Sequence, residues 1–471
     1  MTVERGTLAA VSDWLDAPEL ARLSGGHLVH DAARPIRGAA VDSRRVLPGN
    51  LFVALPGERT DGHEHLAEAV ANGAAALLVS RPGLPADGLA GVTVVRVAQP
   101  VEALGAIAAG WRLRFDPITV GITGSIAKTS TKEAVAGVLA VRFKTLRSEG
   151  NENNEIGLPL TVLRLDRSDE ALVLEMGMYV GGEIADLARI GRPSIGVVTA
   201  VQAVHLARIG SIRAIERAKA ELVEALPASG SAVLNADDER VAGMAGRTAA
   251  RILTYGFGPG ADVTAEAIES AAAAGMRFVL RTAAGRQPIS LPSLGRHAVH
   301  NALAAAAVGT AAGLSLGQIA TGLAISPPAT HRGDLIRLGE VTILDDTYNA
   351  APASMRAALA VLASLPGRRV AVLGEMRELG SGHEAGHLEV GTVAASVADL
   401  LIVVGPDAEP IARAARAAGM AAGRVVEVPD GDAALEALRP RLAPGDIVLV
   451  KASRGLALDR LVGDLQVELG Q

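Results

Sequence analysis

The feature that most constrains the fold is an alternation running over most of the chain, in which short apolar runs, each long enough for one strand, are separated by stretches of helical spacing. From Pro117 strands are read at Ile118–Ile122, Glu170–Leu174, Ile195–Val201 and Ser231–Leu234, with a helix over Lys132–Val141 after the first. From Thr330 they are read at Val341–Leu344, Arg369–Leu373, Leu400–Val404, Val425–Val428 and Ile447–Lys451, with helices over Ser354–Leu365, His387–Val397, Ile411–Ala418 and Ala433–Leu438. Apolar strands joined by helical crossovers bury both faces, so the pattern predicts two mostly parallel sheets with helices on either side. Between them lie an irregular stretch over Asp262–Ile289, read as antiparallel, a helix over His297–Ala312 and a hinge at Ser326–Pro328. A smaller α/β unit comes first, with helical His65–Asn72, strands Ala75–Val79 and Val92–Val97, and helical Pro100–Phe115.

A chain of 471 residues is too long for one ordinary core. We therefore expect an α/β protein of three domains, 1–98, 99–328 and 329–471. The first is a small substrate domain, the second a P-loop-type ATPase domain with a mostly parallel sheet, and the third a Rossmann-like unit. No G-x-G-x-x-G follows the first strand of that last unit, so a dinucleotide cofactor is not expected.

Aromatic residues make up 2% of the chain and hydrophobic residues 49%, so the core must be built from Ala, Val, Leu and Ile, and a base-binding pocket has few rings for stacking. The 45 basic and 51 acidic side chains leave a net charge of −6 with no long basic run, which argues against a nucleic-acid partner. The absence of cysteine excludes disulfides and thiolate metal sites. Met1–Asp16 lacks a basic segment followed by an apolar one, and the longest apolar segment, Ala302–Leu314, is too short to span a bilayer. A soluble, cytoplasmic protein without membrane contact is the expectation.

The sharpest local feature is the strand, tight turn and helix start from Thr119 to Lys132. Backbone N–H groups of such a turn point at phosphate oxygens, a lysine adds positive charge, and a following hydroxyl reaches Mg²⁺. Gly121, Thr123, Gly124, Ser125, Ala127, Lys128, Thr129 and Ser130 are the residues placed for this, with Lys128 and Thr129 in the two named roles. The strict P-loop template fails, because Ala127 stands where the glycine before the lysine is required. A methyl group there costs about 1 kcal/mol if the backbone must adopt positive φ.

Further segments follow in an order that resembles the Mur ligases, and in particular the branch that adds D-alanyl-D-alanine. They are the run from Asn151 to Pro159, Glu175-Met176-Gly177 with Gly182-Glu183-Ile184, the run from Asp345 to Pro352, and Val372 to Gly380 with His387 and Gly391. Together with the phosphate turn, which fits the family's variant except at Ala127, the likeness covers nearly everything from Ala40 to Arg460.

That resemblance implies an ATP-dependent, ADP-forming amide ligase that works with Mg²⁺. It implies that UDP-N-acetylmuramoyl-tripeptide and D-alanyl-D-alanine are the substrates, that the pathway is peptidoglycan precursor synthesis, and that the chain acts as a monomer. Lys128, Glu175, His205 and Lys219 are then the catalytic set. Thr129, Glu175, His205 and a carbamylated Lys219 are its metal ligands. Asn301, Arg332 and Asp346 join the phosphate turn around ATP. Asn153, Asn154, Tyr348, Asn349, Lys451, Ser453 and Arg454 face the substrates, and Ser43 and Arg44, in Asp42-Ser43-Arg44-Arg45-Val46, meet the uridine diphosphate, with Asp61-Gly62-His63 beside them. Read without the resemblance, Glu175 is equally a solvated strand-end acid, Lys219 an exposed helical lysine, Asn301 a helix cap, and the rest turns that hold the fold.

The chain also departs from the family at Ala200, where Asn is usual. The alternatives are therefore a ligase of the same superfamily with another acceptor, and a weakened or non-catalytic relative.

Overall fold

The computed structural model describes residues 13–57, 60–82, 91–202, 209–326 and 329–470. The first unit is a five-stranded sheet of β1 (His27–His30), β2 (Ala39–Ala40), β3 (Leu51–Val53), β4 (Ala76–Val79) and β5 (Thr93–Arg96), ordered β1-β5-β4-β3-β2. Its pairs are parallel except β1 with β5.

The middle sheet contains β6 (Ile118–Thr123), β7 (Thr145–Arg147), β8 (Ala171–Glu175), β9 (Ile195–Val198), β10 (Ser231–Asn235) and β11 (Arg251–Tyr255). Their order is β11-β10-β9-β6-β8-β7, parallel throughout. After β8 the chain crosses to β9 on the far side of β6, so the carboxyl end of β6 lies at the switch point of the sheet, where parallel α/β folds open a crevice. The helix after β6 spans Lys128–Ala140, beginning a turn earlier than its apolar spacing announces, because that first turn, Lys-Thr-Ser-Thr, carries no apolar stripe.

The irregular stretch forms an antiparallel sheet of β12 (Thr264–Ser270), β13 (Met276–Thr282) and β14 (Gly285–Leu291). It leads into the helix Arg296–Ala311. The small side chains Ala302 to Ala307 let that helix sink into one core with Val135, Val138 and Leu139 of the Lys128–Ala140 helix. The longest apolar segment is thus an interior helix, and no helix among the described residues is long and apolar enough to cross a membrane.

The third sheet consists of β15 (Asp334–Leu338), β16 (Val341–Asp345), β17 (Arg368–Gly374), β18 (Leu400–Val404), β19 (Val425–Val428) and β20 (Asp446–Lys451). The order is β15-β16-β20-β17-β18-β19, parallel apart from the edge strand β15. That edge strand was not visible as an apolar run, because only its last residue is buried.

The units are joined unequally. Leu104, Ile107 and Trp111 of the helix Pro100–Arg112 share a single core with Leu20 and Val95 of the first unit and with Leu172 and Leu174 of β8. The third unit keeps cores of its own, to which Leu294 is the buried contribution from the middle unit.

Candidate active site

The site is built on the turn after β6. Gly124 has φ +155°, and a Cβ there would fall 1.8 Å from Thr199 Oγ1, so no other residue fits without displacing the loop after β9. That loop is locked to the turn. Ser125 N–H donates to the Ala200 carbonyl at 2.8 Å, Gln202 N–H donates to Ser125 Oγ at 2.9 Å, and Thr199 Oγ1 donates to the Ile126 carbonyl at 2.6 Å. Ala127 then takes φ +65° as the residue before the helix, so the methyl sits in a left-handed conformation, at a cost of about 1 kcal/mol. Gly121 and Thr123 lie behind the turn in β6, where Thr123 is fully buried.

Lys128 opens the helix and folds back to donate from Nζ to the Gly124 carbonyl at 2.9 Å. Burial pushes its ammonium below the ordinary lysine range, with nearby Arg332 in the same direction and Glu175 opposing both. Glu175, the last residue of β8, is 2% exposed. One of its oxygens accepts from Asn153 Nδ2 at 2.8 Å. The other, Oε2, has no hydrogen-bond donor among the described residues and lies 4.0 Å from Lys132 Nζ. Lys132 is itself fully buried, donating to the Gly150 carbonyl at 3.1 Å and pairing with Glu133 at 3.1 Å. Lys219, on the helix Ile212–Glu224, is 4% exposed rather than solvated. Burial, aided by the charge of Lys128, drives its ammonium well below the usual value.

The opposite wall comes from the third unit. Arg332 reaches across to donate from a terminal nitrogen to Thr129 Oγ1 at 3.0 Å, while its guanidinium lies 3.9 Å from the centre of the Tyr348 ring. Lys451, at the end of β20, pairs with Asp346 at 2.7 Å and donates to the Asn349 carbonyl at 2.7 Å. It therefore fixes the loop after β16. Between the walls is a cavity of about 430 Å³, bounded by residues 125–130, Asn153 and Glu175 on one side and by Arg332, Asp346, Tyr348, Asn349 and Lys451 on the other. Asn301 lines it too, accepting from the Thr131 hydroxyl at 3.5 Å.

Other expected residues have different placements. Asn154 uses its carbonyl oxygen to accept from Gly157 N–H at 2.9 Å, holding the start of a short helix. Ser453 accepts from Arg377 N–H at 2.8 Å, and Arg454 pairs with Asp459 at 3.1 Å at the surface. Ser43 donates to Glu68 at 2.6 Å, and Arg44 forms a two-pronged pair with Asp42, at 2.9 and 2.7 Å, that holds the Asp42 carboxyl down at about 2. These first-unit residues lie apart from the cavity, though Arg45 comes within 3.8 Å of Glu149 in the middle unit. Near them, Ser80 N–H donates to His63 Nε2 at 3.0 Å, so the ring's proton sits on Nδ1 facing Asp61 at 2.6 Å. His205 lies outside the described residues, as does most of the expected hinge at 326–328.

Reasoning from sequence gave no individual site role to Lys132, His297 or Arg377, although Arg377 lies in the run Val372 to Gly380 that carries the resemblance. His297 and Arg377 line the cavity, and burial lowers the tendency of His297 to take a proton. A lysine one helical turn after Lys128, on the same face, was the signal for Lys132.

Family models match in chain order: Mur ligase family, catalytic domain, at residues 35–112, Mur ligase middle domain at 122–309, and Mur ligase, glutamate ligase domain, at 331–454. The chain belongs to the Mur ligase family, whose members are ATP-dependent, ADP-forming ligases.

Within the family, it is 40% identical to the UDP-N-acetylmuramoyl-tripeptide–D-alanyl-D-alanine ligase of Mycobacterium tuberculosis, over 96% of this chain and 98% of that one. To the enzyme of the same name from Escherichia coli it is 37% identical, over 98% of each. Crystal structures of MurF from Acinetobacter baumannii and of MurF from Thermotoga maritima in complex with ADP superpose with TM-scores of 0.85 and 0.79, at 31% and 28% identity. The first covers 98% of this chain and 100% of that one, the second 92% and 98%.

Proposed function

We propose that this chain joins D-alanyl-D-alanine to the terminal carboxylate of UDP-N-acetylmuramoyl-tripeptide, at the expense of ATP, in peptidoglycan precursor synthesis. The observation that carries this is the single cavity walled on one side by the phosphate turn and Glu175 and on the other by Arg332, Asp346 and Lys451. Residues 1–98 hold the uridine-diphosphate end, 99–328 hold ATP, and 329–471 bring the acceptor. The chain acts as a monomer in the cytoplasm, where nucleotide-linked precursors and ATP coexist.

An oxygen of the tripeptide's carboxylate attacks the γ-phosphorus of ATP, breaking its bond to the bridging oxygen, so that ADP leaves and an acyl phosphate forms. The dipeptide's amino nitrogen attacks the acyl carbon, phosphate departs, and the nitrogen's surplus proton passes to the departing phosphate. No protein nucleophile is required. Backbone N–H groups of the turn and Lys128 stabilise the charge that builds on the transferring group, and Arg332 reaches the same region from the third unit. Closing the two walls excludes water from the acyl phosphate.

Mg²⁺ fits the donor set. Glu175 Oε2 is buried without a hydrogen-bond donor among the described residues, and the Thr129 hydroxyl belongs to the same cavity. Mg²⁺ takes oxygen ligands and usually keeps several from phosphates and water, which a carboxylate and a hydroxyl can complement. Bound there, it would neutralise phosphate charge. The depressed ammonium of Lys219 supplies the neutral amine that carbamylation by CO₂ requires, which supports reading it as a further anionic ligand.

The test is ADP release with ATP, Mg²⁺ and both substrates, compared with each substrate omitted. Release dependent on both supports the ligase. Saturable nucleotide binding without turnover would favour the second reading, a silenced relative, for which strained Ala127 is the motive.

A further inference from the structure

We infer that Arg377 is the anchor for the carboxylate of the incoming dipeptide, and that the neighbouring alanine wall of the cavity receives its methyl groups. This rests on the ligase reading above. A dipeptide acceptor brings one amino group, which must face the reacting acyl group as the free amine, one carboxylate at its other end, and two methyls. A cation is therefore needed on the third-unit side of the cavity, away from the phosphate turn.

The obvious cations there are already committed. Lys451 is held by Asp346 and the Asn349 carbonyl, Arg332 points to Thr129 across the cleft, and Arg454 pairs with Asp459. Arg377 remains. It lines the same cavity, and its side chain is 57% exposed to it and to solvent.

Its pose is built. The Arg377 N–H is fixed by Ser453 Oγ at 2.8 Å, and the preceding Met376 N–H by His387 Nε2 at 2.9 Å. His387 is fully buried, and its Nδ1 meets the His383 carbonyl at 2.7 Å, so the segment is tied to the helix His383–Val397 beneath it. The guanidinium lies over Gly455, where a Cβ would come within 2.0 Å of NH1, so the bare backbone makes room for it. Among the described residues its one ion pair runs from Nε to Glu375. Of the five N–H donors of a guanidinium, four then remain for a ligand, in the planar fork that matches a carboxylate.

Two further details select the ligand. Glu375 and Glu378 accompany the one arginine, and Glu378 also lines the cavity, an excess of acid that disfavours a phosphate and suits a zwitterion with a single carboxylate. Ala353 and Ala357, one turn apart on the helix Pro352–Ser364, give the adjoining wall room for methyl groups and little more. Both features would be wasted on the nucleotide or the sugar.

The test compares natural chain and Arg377→Ala with two acceptors, D-alanyl-D-alanine and D-alanyl-D-alanine amide, which lacks the negative charge. A charge-assisted contact predicts that the natural chain prefers the acid by about tenfold or more in kcat/KM. Arg377→Ala should lose that preference through a raised KM for the acid, keep its rate with the amide, and leave the KM values for ATP and tripeptide within about twofold. Arg377→Lys should recover part of the preference. Equal loss with both acceptors, or none with either, overturns the assignment while leaving the ligase intact. Absence of ADP release by the natural chain with every acceptor sinks the ligase reading itself.

Discussion

Two loops in this chain offer positive charge to an anion, and they do so by opposite means. The phosphate turn at residues 124–128 is half-buried, cross-linked to the loop after β9, and strained at Ala127, with one lysine whose ammonium is destabilised by desolvation. In the Asp42–Arg44 loop of the first unit the arginine is exposed, and it is already neutralised by Asp42. A pre-formed, desolvated turn spends folding energy so that little is spent when phosphate arrives, whereas an exposed pair must be broken first and is screened by salt. The turn should therefore govern rate, and the surface loop should adjust affinity.

Removing charge from the turn should have the largest effect. Lys128→Met is expected to lower kcat by about 10²–10³, with the tripeptide still bound, and measured kcat within tenfold of natural would break the comparison.

Lys219 sharpens it through stability. A lysine whose folded pKa is depressed binds fewer protons folded than unfolded, so stability rises with pH between the depressed value and 10.5 and is lowest below both. In CO₂-free buffer, where the amine stays unmodified, Lys219→Met should therefore raise the melting temperature at pH 7 and lose the advantage as pH approaches 10, and with CO₂ restored it should abolish ligation. A pH-independent difference in melting temperature would count against the buried ammonium.

A smaller change is expected from Ala127→Gly. Relief of the left-handed alanine should add about 1 kcal/mol of stability, read from a denaturant midpoint. An unchanged midpoint would mean that the turn does not feel the methyl. If that methyl also crowds phosphate, ADP affinity measured by calorimetry rises too. Arg44→Ala should do least, raising the KM for the UDP-linked substrate by less than about tenfold, since solvent and salt screen an exposed charge. That increase should fade as ionic strength rises, and a large kcat effect would overturn the division of labour.

The phosphate turn could be read before folding only together with the segments that follow it, since a strand, a glycine turn and a lysine followed by a hydroxyl also describe an ordinary turn before a helix. Glu175 was legible as a strand-end carboxylate at the edge of a parallel sheet. Lys219, Lys132 and Arg377 were not legible in the same way. Nothing local distinguishes a helical lysine that faces solvent from one that faces another helix, and Arg377 acquires meaning only because Gly455, far along the chain, leaves space for it. The edge strand β15 escaped for a related reason, since an edge is too little buried to carry an apolar signal.

Periodicity and turn chemistry, which are properties of neighbouring residues, determined the two parallel sheets, the Ala-rich interior helix and the position of the phosphate turn. Which charges are buried, which cations are already paired, and which wall faces the acceptor depend on contacts between residues far apart in the chain. Coulomb energies and desolvation follow distance in space and not along the backbone. For that reason only the tertiary structure could show that Lys128 and Arg332 share one cavity, that Lys451 is committed to its own loop, and that Arg377, among the described residues, is paired through Nε alone.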